Sequence, residues 1–369
     1  MVNDVWVEVD LEALRHNLRQ VREVVGPRVR VMAVVKANGY GHGLVEPSRA
    51  LVDAGADALA VTRIEEAVPI RNAGITAPIL LLTPIQPDNA EAAIGADLEM
   101  TVCEPALARA VSEAATKLGR TARIHAKVDT GMGRLGLPPD EVPSFFQTVR
   151  ELKGVEVAGI YTHFASAAEA DVAAARDQLD LFRRVIEALQ QMGFAYGLAH
   201  ASNSAGILGL AGSHLDMVRP GTLLYGQYPS HYVPRALDLK PTWKLKARIC
   251  QVKDLPAGAP VGYGGEFAAR RHTRAAVIPV GYADGFTLAP VGPIYRQSVI
   301  RFIARKMRQS LSVVVRGQRA PVIGRVAMQM TIIDVTHVSG ATVGDEVTIP
   351  ALRIPTSALI PRVYVDPLA

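Results

Sequence analysis

The sequence predicts a parallel (β/α)8 barrel followed by a mostly β domain. Three observations indicate this fold. Eight short apolar runs alternate with amphipathic stretches in the first two thirds of the chain, these units are evenly spaced, and β-branched runs dominate the last third. A chain of 369 residues is also long enough for two domains. We expect the barrel at residues 1–232 and the β domain at residues 233–369.

The apolar runs are short enough to be barrel strands. They are Val31–Val35, Ala58–Val61, Ile79–Leu82, Leu98–Val102, Arg123–Val128, Val157–Tyr161, Tyr196–His200 and Leu215–Val218. Between them lie stretches with apolar residues at helical spacing, such as Glu104–Leu118 and Asp171–Met192. A doubly wound open sheet is the alternative, but eight evenly spaced units favour closure into a barrel.

The last third of the chain has a different pattern. Pro229, Pro234 and Pro241 mark a segment with little periodicity, which we interpret as the linker. Residues 316–319 resemble a hairpin loop between two strands. The strands predicted here are Ala275–Val280, Ser312–Val315, Pro321–Ile323, Thr331–Val335 and Glu346–Ile349.

The composition narrows the class of protein. Hydrophobic residues make up 49% of the chain, which permits a large core, and 40 Lys and Arg against 35 Asp and Glu give a net charge of +5. This scattered excess suits an anionic cofactor or substrate and lacks the basic stripe of a nucleic-acid binder. Cys103 and Cys250 are too far apart in sequence for a disulfide scaffold or a cysteine zinc site, and we expect no metal. We predict no signal peptide and no membrane span, so the cytoplasm is the expected location.

Lys36 is the first candidate for chemistry. The apolar run Val31–Val35 ends at this lysine, and a glycine-rich turn follows that also contains Tyr40. A lysine at the edge of a buried core is partly desolvated, so its pKa falls and it can act as a nucleophile or base, as a Schiff-base lysine must. Tyr40 and the turn are suited to hold a phosphate. The alternative is a solvated lysine in a polar loop, and the segment alone does not decide between the two.

Polar residues also follow four later strands. These groups are Asp129–Arg134, His163, Ser202–Ser204 and Arg219–Thr222. Barrel enzymes carry their chemistry at the carboxyl ends of the strands, so we expect these groups to converge with Lys36 at one mouth. Phosphate sites of barrels usually follow strands seven and eight, where Ser204, Gly221 and Thr222 are placed.

Taken together, these segments resemble the alanine racemase family of fold-type III pyridoxal-phosphate enzymes. The resemblance runs from Trp6 to Tyr364. Its motifs are the Lys36 segment, Lys127–Gly136, His163, Asn203–Ser204, Met217–Gly221 and Gly281–Gly285, in the order that the family has them. It implies a pyridoxal 5'-phosphate-dependent racemase that interconverts L- and D-alanine. It also implies a homodimer with shared active sites, in which Tyr282 acts across the interface.

The resemblance further implies roles for individual residues. Lys36 forms the internal aldimine and shares the acid/base chemistry with Tyr282. Arg134 and the backbone of Met328 bind the substrate, and Lys127 is a possible carbamylated lysine that supports Arg134. The residues implied to bind the cofactor are Lys36, Tyr40, His163, Asn203, Ser204, Arg219, Gly221 and Thr222.

Chemical reasoning agrees with these roles. Racemisation removes a proton from one face of the α-carbon and delivers one to the other, so a second group must face the lysine. Tyr282 has a usual pKa of ~10 and therefore needs a hydrogen bond or cationic neighbours, for which His163 and nearby arginines are candidates. Arg219 at the ring nitrogen keeps that nitrogen unprotonated. The weaker electron sink that results favours racemisation over transamination.

The chain departs from the family pattern in three places. Ala327 and Gln329 stand where Cys and Asp are usual, and Gln329 removes a negative charge beside the carboxylate site. The segment 286–311 is longer than usual and basic, and we interpret it as a solvated helix rather than a substrate-reading insert. Ala358 and Leu359 lie where a gating tyrosine is expected. We therefore expect a wider entrance, unless Tyr364 or the long segment fills the gap.

Other functions fit parts of the pattern. A racemase of serine or a larger amino acid is the nearest alternative, because the departures fall around the substrate site. A fold-type III decarboxylase would place a carboxylate at the ring nitrogen and bring a catalytic cysteine from the β domain, and Arg219 argues against it. A non-catalytic pyridoxal-phosphate carrier of the same barrel type usually lacks the β domain that this chain has.

Overall fold

The structure is a computed structural model that describes residues 3–265, 267–288 and 311–366. Its internal contacts divide the chain into two compact units. Asp10–Thr242 form the first unit together with Asp366, and we call it the barrel unit. Trp243–Val365 form the second unit together with the N-terminal segment through Val9, and we call it the β unit.

The barrel unit confirms the predicted (β/α)8 fold. After β1 (Val5–Asp10), which belongs to a sheet of the β unit, eight parallel strands close into a barrel in chain order. They are β2 Arg30–Val34, β3 Ala58–Val61, β4 Ile79–Leu81, β5 Glu99–Val102, β6 Ala122–Lys127, β7 Val155–Tyr161, β8 Leu198–Asn203 and β9 Met217–Arg219. Closure is made by β9 against β2, where Val31 pairs with Val218. The open sheet is therefore excluded.

Helices connect the strands. They are α1 Leu11–Val25, α2 Lys36–Tyr40, α3 Val45–Asp53, α4 Ile64–Asn72, α5 Ala90–Gly95, α6 Pro105–Leu118, α7 Val142–Glu151, α8 Ala173–Gln191 and α9 Ser204–Gly209. The Asp10 carboxylate caps α1 by accepting from the Ala13 N–H at 2.8 Å. The long helix α8 buries the apolar stripe seen in the sequence, including Leu179, Phe182 and Leu189. Within the described ranges, no helix is both long and apolar enough to cross a bilayer.

The division between the units lies later in the chain than the expected boundary at 232/233. Buried Asn17 of α1 explains the difference, because it ties the proline-containing segment to the barrel unit. Its side-chain amide donates to the carbonyl oxygens of Leu224 and Lys240 at 3.1 and 2.9 Å and accepts from the Lys240 N–H at 2.8 Å. The segment therefore packs on the barrel rather than serving as a linker.

The β unit is mostly β, as predicted. Its strands are β10 Trp243–Arg248, β11 Gln251–Leu255, β12 Pro260–Val261, β13 Phe267–Ala268, β14 Thr273–Ile278, β15 Ser312–Val315, β16 Gln318–Pro321, β17 Thr331–Asp334, β18 Glu346–Ile349 and β19 Arg362–Val365. A six-stranded sheet has the order β16-β15-β18-β10-β1-β19, and β11-β14-β17 form a second sheet. The N-terminal strand joins the first sheet by antiparallel pairing of Val5 with Ala247, a long-range contact that local sequence patterns do not predict.

The predicted hairpin is tighter than expected. Arg316 and Gly317 both have positive φ, 49° and 77°, and Val315 pairs directly with Gln318. Two consecutive left-handed residues are typical of a type I′ turn, which suits the twist of the flanking strands. The predicted strand at 321–323 is therefore wrong in its bounds, since pairing begins at Gln318.

Candidate active site

A cavity of about 310 Å³ opens where the barrel strands end. Nine of the residues expected at the site line it: Lys36, Tyr40, Lys127, Arg134, His163, Ser204, Arg219, Gly221 and Thr222. They come from five separate segments of the chain, and the barrel topology brings them to one mouth. The expectation that the polar residues after the strands converge is thus met for these residues.

Lys36 begins an unusual left-handed turn. The φ angles of Ala37, Asn38, Gly39 and Tyr40 are 55°, 54°, 59° and 53°. Gly39 adopts this backbone freely and Asn38 tolerates it, whereas the left-handed backbone costs about 1–2 kcal/mol at each of Ala37 and Tyr40. The glycine-rich turn expected after Lys36 is present, and surrounding contacts impose the conformation on its non-glycine residues. The Glu66 carboxylate, for example, accepts from the Ala37 N–H at 2.6 Å.

His42, which follows the turn in sequence, makes a second contact to it. His42 is fully buried, and its Nδ1 lies 3.0 Å from the Gly39 carbonyl oxygen. Its ring lies 4.7 Å from the ring of Tyr225, on which Tyr40 also stacks at 4.7 Å. Tyr225 in turn donates to the Val34 carbonyl oxygen at 3.1 Å. The turn is thus held against the last residues of β2, which fixes the position of Lys36.

The amine of Lys36 has a lowered pKa. Burial is the largest cause, and the positive charge of Arg134 adds to it, while Glu66 acts in the opposite direction. A lowered pKa increases the fraction of neutral amine at physiological pH, which is the form that acts as a base or nucleophile. The sequence interpretation of a partly desolvated lysine agrees with this environment.

Arg219 is a deeply buried cation of the cavity. It is 4% exposed, and its Nη2 donates to the carbonyl oxygens of Thr162 and Ala201 at 2.6 and 3.0 Å. Its Nη1 donates to Nδ1 of His200 at 2.7 Å. Burial lowers the pKa of Arg219 to about 10, so the guanidinium remains charged at neutral pH. It can therefore act only as a donor toward any group in the cavity.

Burial and neighbouring positive charges lower the pKa values of both Lys127 and His163. Burial, followed by the charges of Arg219 and Arg134, lowers the pKa of Lys127 to about 8. Burial, followed by Arg219 and Lys127, lowers the pKa of His163 to about 3. His163 is therefore neutral at physiological pH. Of the two roles considered for it toward Tyr282, a neutral His163 fits the hydrogen bond rather than the cationic neighbour.

One side of the cavity is suited to a phosphate. The Ser204 hydroxyl accepts from the Gly221 N–H at 2.9 Å and keeps its own proton to donate. The Thr222 Oγ1 is buried and has no hydrogen-bond partner in the described structure. A Cβ added at Gly221 would lie 2.5 Å from the Tyr40 hydroxyl, so only glycine lets these groups converge. An orphaned hydroxyl among donors and nearby cations fits an anionic group.

Asn203 has a different place from the one expected. It does not line the cavity, and its side-chain oxygen accepts from the N–H groups of Ala205 and Gly206 at 3.0 Å each. It is thus the N-cap of α9. Its effect on the cavity acts through the backbone of Ser204, which follows it.

Sequence reasoning missed Tyr161. Its hydroxyl lies 2.7 Å from Thr101 Oγ1, and its ring faces Lys127 Nζ and Arg219 at 4.7 and 5.1 Å from the ring centroid. Burial raises the pKa of its hydroxyl to about 12, so it stays neutral. Its position at the end of β7, directly before the residues singled out in the sequence, was the available signal. Thr62, Leu82 and Thr83 also line the cavity and carried no such signal.

The β unit places Tyr282 and Met328 together. The N–H groups of Tyr282 and Ala283 donate to the carbonyl oxygens of Ala327 and Met328 at 3.1 and 3.0 Å. A Cβ at Gly281 would overlap with both carbonyl oxygens, so this approach requires glycine. Tyr282 is 46% exposed and Met328 is 59% exposed. The expected second acid/base and carboxylate-binding backbone thus lie on one accessible surface of this unit.

Comparison with known proteins decides the family. Residues 9–229 match the sequence profile described as alanine racemase, N-terminal domain, and residues 242–358 match alanine racemase, C-terminal domain. The chain belongs to the alanine racemase family. It is 42% identical over 343 residues to an alanine racemase of Desulfovibrio desulfuricans, with 93% of this chain and 88% of that protein covered. It is 40% identical over 347 residues to one of Methanococcus maripaludis, with 94% and 88% covered.

Solved structures of alanine racemases agree with this assignment. The alanine racemase of Clostridium difficile 630 superimposes with a TM-score of 0.90 at 30% identity, covering 99% of this chain and 96% of that chain. The Bacillus anthracis enzyme with bound L-Ala-P gives 0.87 at 28% identity, covering 100% and 96%. Alanine racemases are pyridoxal 5'-phosphate-dependent isomerases. The predicted fold, reaction type and cofactor are thereby confirmed, and the decarboxylase and carrier alternatives are set aside.

Proposed function

We propose that this protein interconverts L- and D-alanine by two-base proton transfer, with Lys36 and Tyr282 as the two acid/base groups. The observation that carries the proposal is the cavity at the strand ends, where a lysine of lowered pKa lies among cations and donors. Tyr282 supports it by its accessible position beside Met328. Each group would abstract the α-proton of one enantiomer and return a proton to the other.

The cavity residues fit pyridoxal 5'-phosphate. When bound, this cofactor withdraws electrons from the α-carbon of an amino acid and so makes its α-proton acidic. Lys36 would anchor it covalently, and Arg219 would donate to its ring nitrogen. The residues that would hold its phosphate are Tyr40, Ser204, Gly221 and Thr222, and we place His163 and Asn203 with the cofactor site, the latter through its cap of α9.

Charged groups near the cavity suit the substrate. Arg134 lines it, and its loop is ordered by Asp129, whose carboxylate accepts from the N–H groups of Gly131 and Met132 at 3.0 and 2.8 Å. We assign Arg134 and the backbone of Met328 to the substrate carboxylate. Lys127 would support Arg134 if carbamylated, since the modification replaces a cation by an anion beside Arg134 and Arg219. Its pKa of about 8 leaves part of the amine neutral and able to react with carbon dioxide.

We further propose a homodimer in which Tyr282 serves the barrel of the partner. The described part of the β unit exposes large apolar side chains that a second copy would cover. Tyr263 is 71% exposed, and Met328 and Met330 are each 59% exposed. Mixing Lys36→Ala chains with Tyr282→Phe chains should restore activity in mixed dimers, because one of the two sites is then intact. Proven subunit exchange without recovery of activity would refute the shared site.

We place the enzyme in the cytoplasm, since both cysteines are free thiols in the structure. Its substrate range is proposed to extend beyond alanine. Leu359 is 94% exposed at the place where a gating tyrosine was expected. The long segment 286–311 that could fill the gap lies for the most part outside the described residues, and Tyr364 lies in β19.

The central experiment follows α-deuteration and D-product formation from L-alanine in deuterated water with the pyridoxal 5'-phosphate-loaded enzyme. Wild type should give D-alanine carrying α-deuterium, and Lys36→Ala should give neither. Lys153→Ala, at an exposed lysine of the same unit, is the matched control. Borohydride reduction and peptide mapping should label Lys36. Labelling at another lysine, or full activity of Lys36→Ala, would overturn the assignment.

A further inference from the structure

A line of four buried side chains crosses the interior of the barrel. Arg219 donates to His200 Nδ1 at 2.7 Å, His200 Nε2 lies 2.9 Å from His125 Nδ1, and His125 Nε2 lies 2.8 Å from Glu99 Oε2. Their exposures are 4%, 0%, 1% and 7%, in that order. We call these four residues the buried relay. Glu99 is the first residue of β5 and Arg219 the last of β9, so the relay joins the two ends of the barrel.

The position of each proton in the relay follows by elimination. Arg219 can only donate, so His200 Nδ1 must be the acceptor. A histidine carries at least one ring proton, so His200 is protonated at Nε2 and donates to His125 Nδ1. His125 is therefore protonated at Nε2 alone and donates to Glu99. Every hydrogen bond points from the mouth of the barrel to the carboxylate, and no other assignment satisfies all three contacts.

The charges of the relay agree with this polarity. Burial followed by the charge of Arg219 lowers the pKa of His200 well below its usual value, so His200 is neutral. Burial opposes ionisation of Glu99, but the hydrogen bond from His125 and the charge of Arg123 outweigh it and lower the pKa of Glu99. Glu99 is thus an anion, which can only accept.

The barrel wall is shaped around these rings. A Cβ at Gly159 of β7 would lie 2.5 Å from His125 Nδ1, and the register between β6 and β7 shifts at His125. Tyr161 stacks on His200 with ring centroids 4.8 Å apart and planes inclined by 6°. The two imidazole rings are therefore held in one orientation. Only the choice of the protonated ring nitrogen can still vary, and Glu99 controls that choice.

We propose that Glu99 and His125 are positioning residues that fix the tautomer of His200 and thereby hold the Arg219 guanidinium in place for the cofactor's ring nitrogen. Neither residue lines the cavity, and the relay's hydrogen bonds reach it at Arg219. The inference rests on the proposed role of Arg219. If His200 carried its proton on Nδ1, two donors would face each other and Arg219 Nη1 would lose its acceptor.

The test compares Glu99→Met and Glu99→Gln with wild type in the loaded enzyme. Met has a similar length but no acceptor, whereas Gln keeps an oxygen that can accept but no longer enforces one polarity. Nitrogen-15 chemical shifts of labelled histidine side chains report the tautomer of His200 directly. Absorbance of the bound cofactor, kcat and KM are measured on the same samples. Glu156→Gln is the control, because this exposed carboxylate pairs with Arg123 from outside the relay and leaves the Arg123–Glu99 pair and the acceptor for His125 in place.

We expect a single Nε2-protonated tautomer of His200 in wild type and in Glu156→Gln. Both tautomers should be populated in Glu99→Met, with kcat reduced about tenfold to a hundredfold and KM little changed, the range found when outer partners that orient a functional group are lost. Glu99→Gln should have tautomer populations and a kcat between those of wild type and Glu99→Met. It decides the question if the Met variant does not fold. An unchanged tautomer, or a mixed tautomer with wild-type kcat and cofactor absorbance, would overturn the proposal. Wild-type enzyme without racemase activity would instead overturn the proposed function, whatever the tautomers are.

Discussion

Gly221→Ala should weaken cofactor binding by a specific collision. The new Cβ would lie 2.5 Å from the Tyr40 hydroxyl and 3.2 Å from Tyr40 Cζ. Non-bonded carbon atoms are at their optimum about 3.5–4.0 Å apart, so the hydroxyl must retreat by about 1 Å. Tyr40 is stacked on Tyr225, which is 1% exposed and bonded to the Val34 carbonyl, so a retreat is resisted.

The size of the effect follows from the hydrogen bond that is lost. A hydrogen bond to a charged group contributes about 1.5–3 kcal/mol, and each 1.4 kcal/mol changes an equilibrium constant tenfold. The dissociation constant for pyridoxal 5'-phosphate should therefore rise about tenfold to a hundredfold. Titration of cofactor into the apoprotein, followed by absorbance, measures this directly. Gly209→Ala in the neighbouring helix is the matched control, because its Cβ would meet Ala167 O at an ordinary 3.8 Å.

A double-mutant cycle shows whether the collision is the cause. Tyr40→Phe removes the hydroxyl, so Gly221→Ala should cost clearly less in that background than in wild type. Equal costs in both backgrounds would mean that the alanine acts elsewhere, for instance on the Gly221 N–H that donates to Ser204. Wild-type affinity of the single Gly221→Ala variant would refute the reasoning from the close approach altogether.

Three further outcomes follow. Tyr282→Phe should lower racemisation about 10²- to 10⁴-fold yet retain solvent exchange of the α-proton of one enantiomer, and equal loss of exchange for both would contradict the two-base assignment. Lys127→Met should raise the free energy of unfolding at pH 7 in buffer depleted of carbon dioxide by up to about 3 kcal/mol, since burial lowers the lysine pKa from 10.5 to about 8. This stability gain should shrink as pH rises from about 8 to 10.5, because the lysine is then neutral in the folded state and becomes neutral in the unfolded state as well. Urea denaturation at several pH values measures the gain. A gain that stays constant with pH would contradict the prediction. A panel of L-amino acids should show turnover of serine or a larger substrate beside alanine, whereas activity confined to alanine would refute the wider entrance near Leu359.

The barrel and its mouth were predictable because their signals are local. Each strand is a short buried run, and the residues just after it project at the mouth, so Lys36, His163 and Arg219 are found by reading one or two positions past a run. The first strand of the β unit was not predictable in this way. Val5–Asp10 pairs with Trp243–Arg248, and nothing in either segment names its partner.

The left-handed turn after Lys36 shows a second limit. Ala37 and Tyr40 adopt backbone angles that their own side chains disfavour, so local propensity argues against the observed conformation. A contact from Glu66, a residue of a later helix, imposes it together with His42, whose ring is held in turn by Thr242. Conformations that tertiary contacts hold against local preference are common at functional sites, and they are seen only when the structure brings the contacts together.

The buried relay lies between these two cases. Alternate residues of a strand face the same side, so the residue two positions before a mouth residue lies one layer deeper in the barrel. Two positions before Lys127 is His125, and two positions before Tyr161 is Gly159, which leaves room for the His125 ring. Glu99 precedes Thr101 by the same step, and Thr101 bonds to Tyr161. On these three neighbouring strands, the residues at the mouth form an upper layer, and the residues two positions earlier form a lower layer that contains Glu99 and His125. The lower layer is visible in the sequence as charged or small residues inside otherwise apolar runs, and its partners are fixed only by the register of the closed barrel.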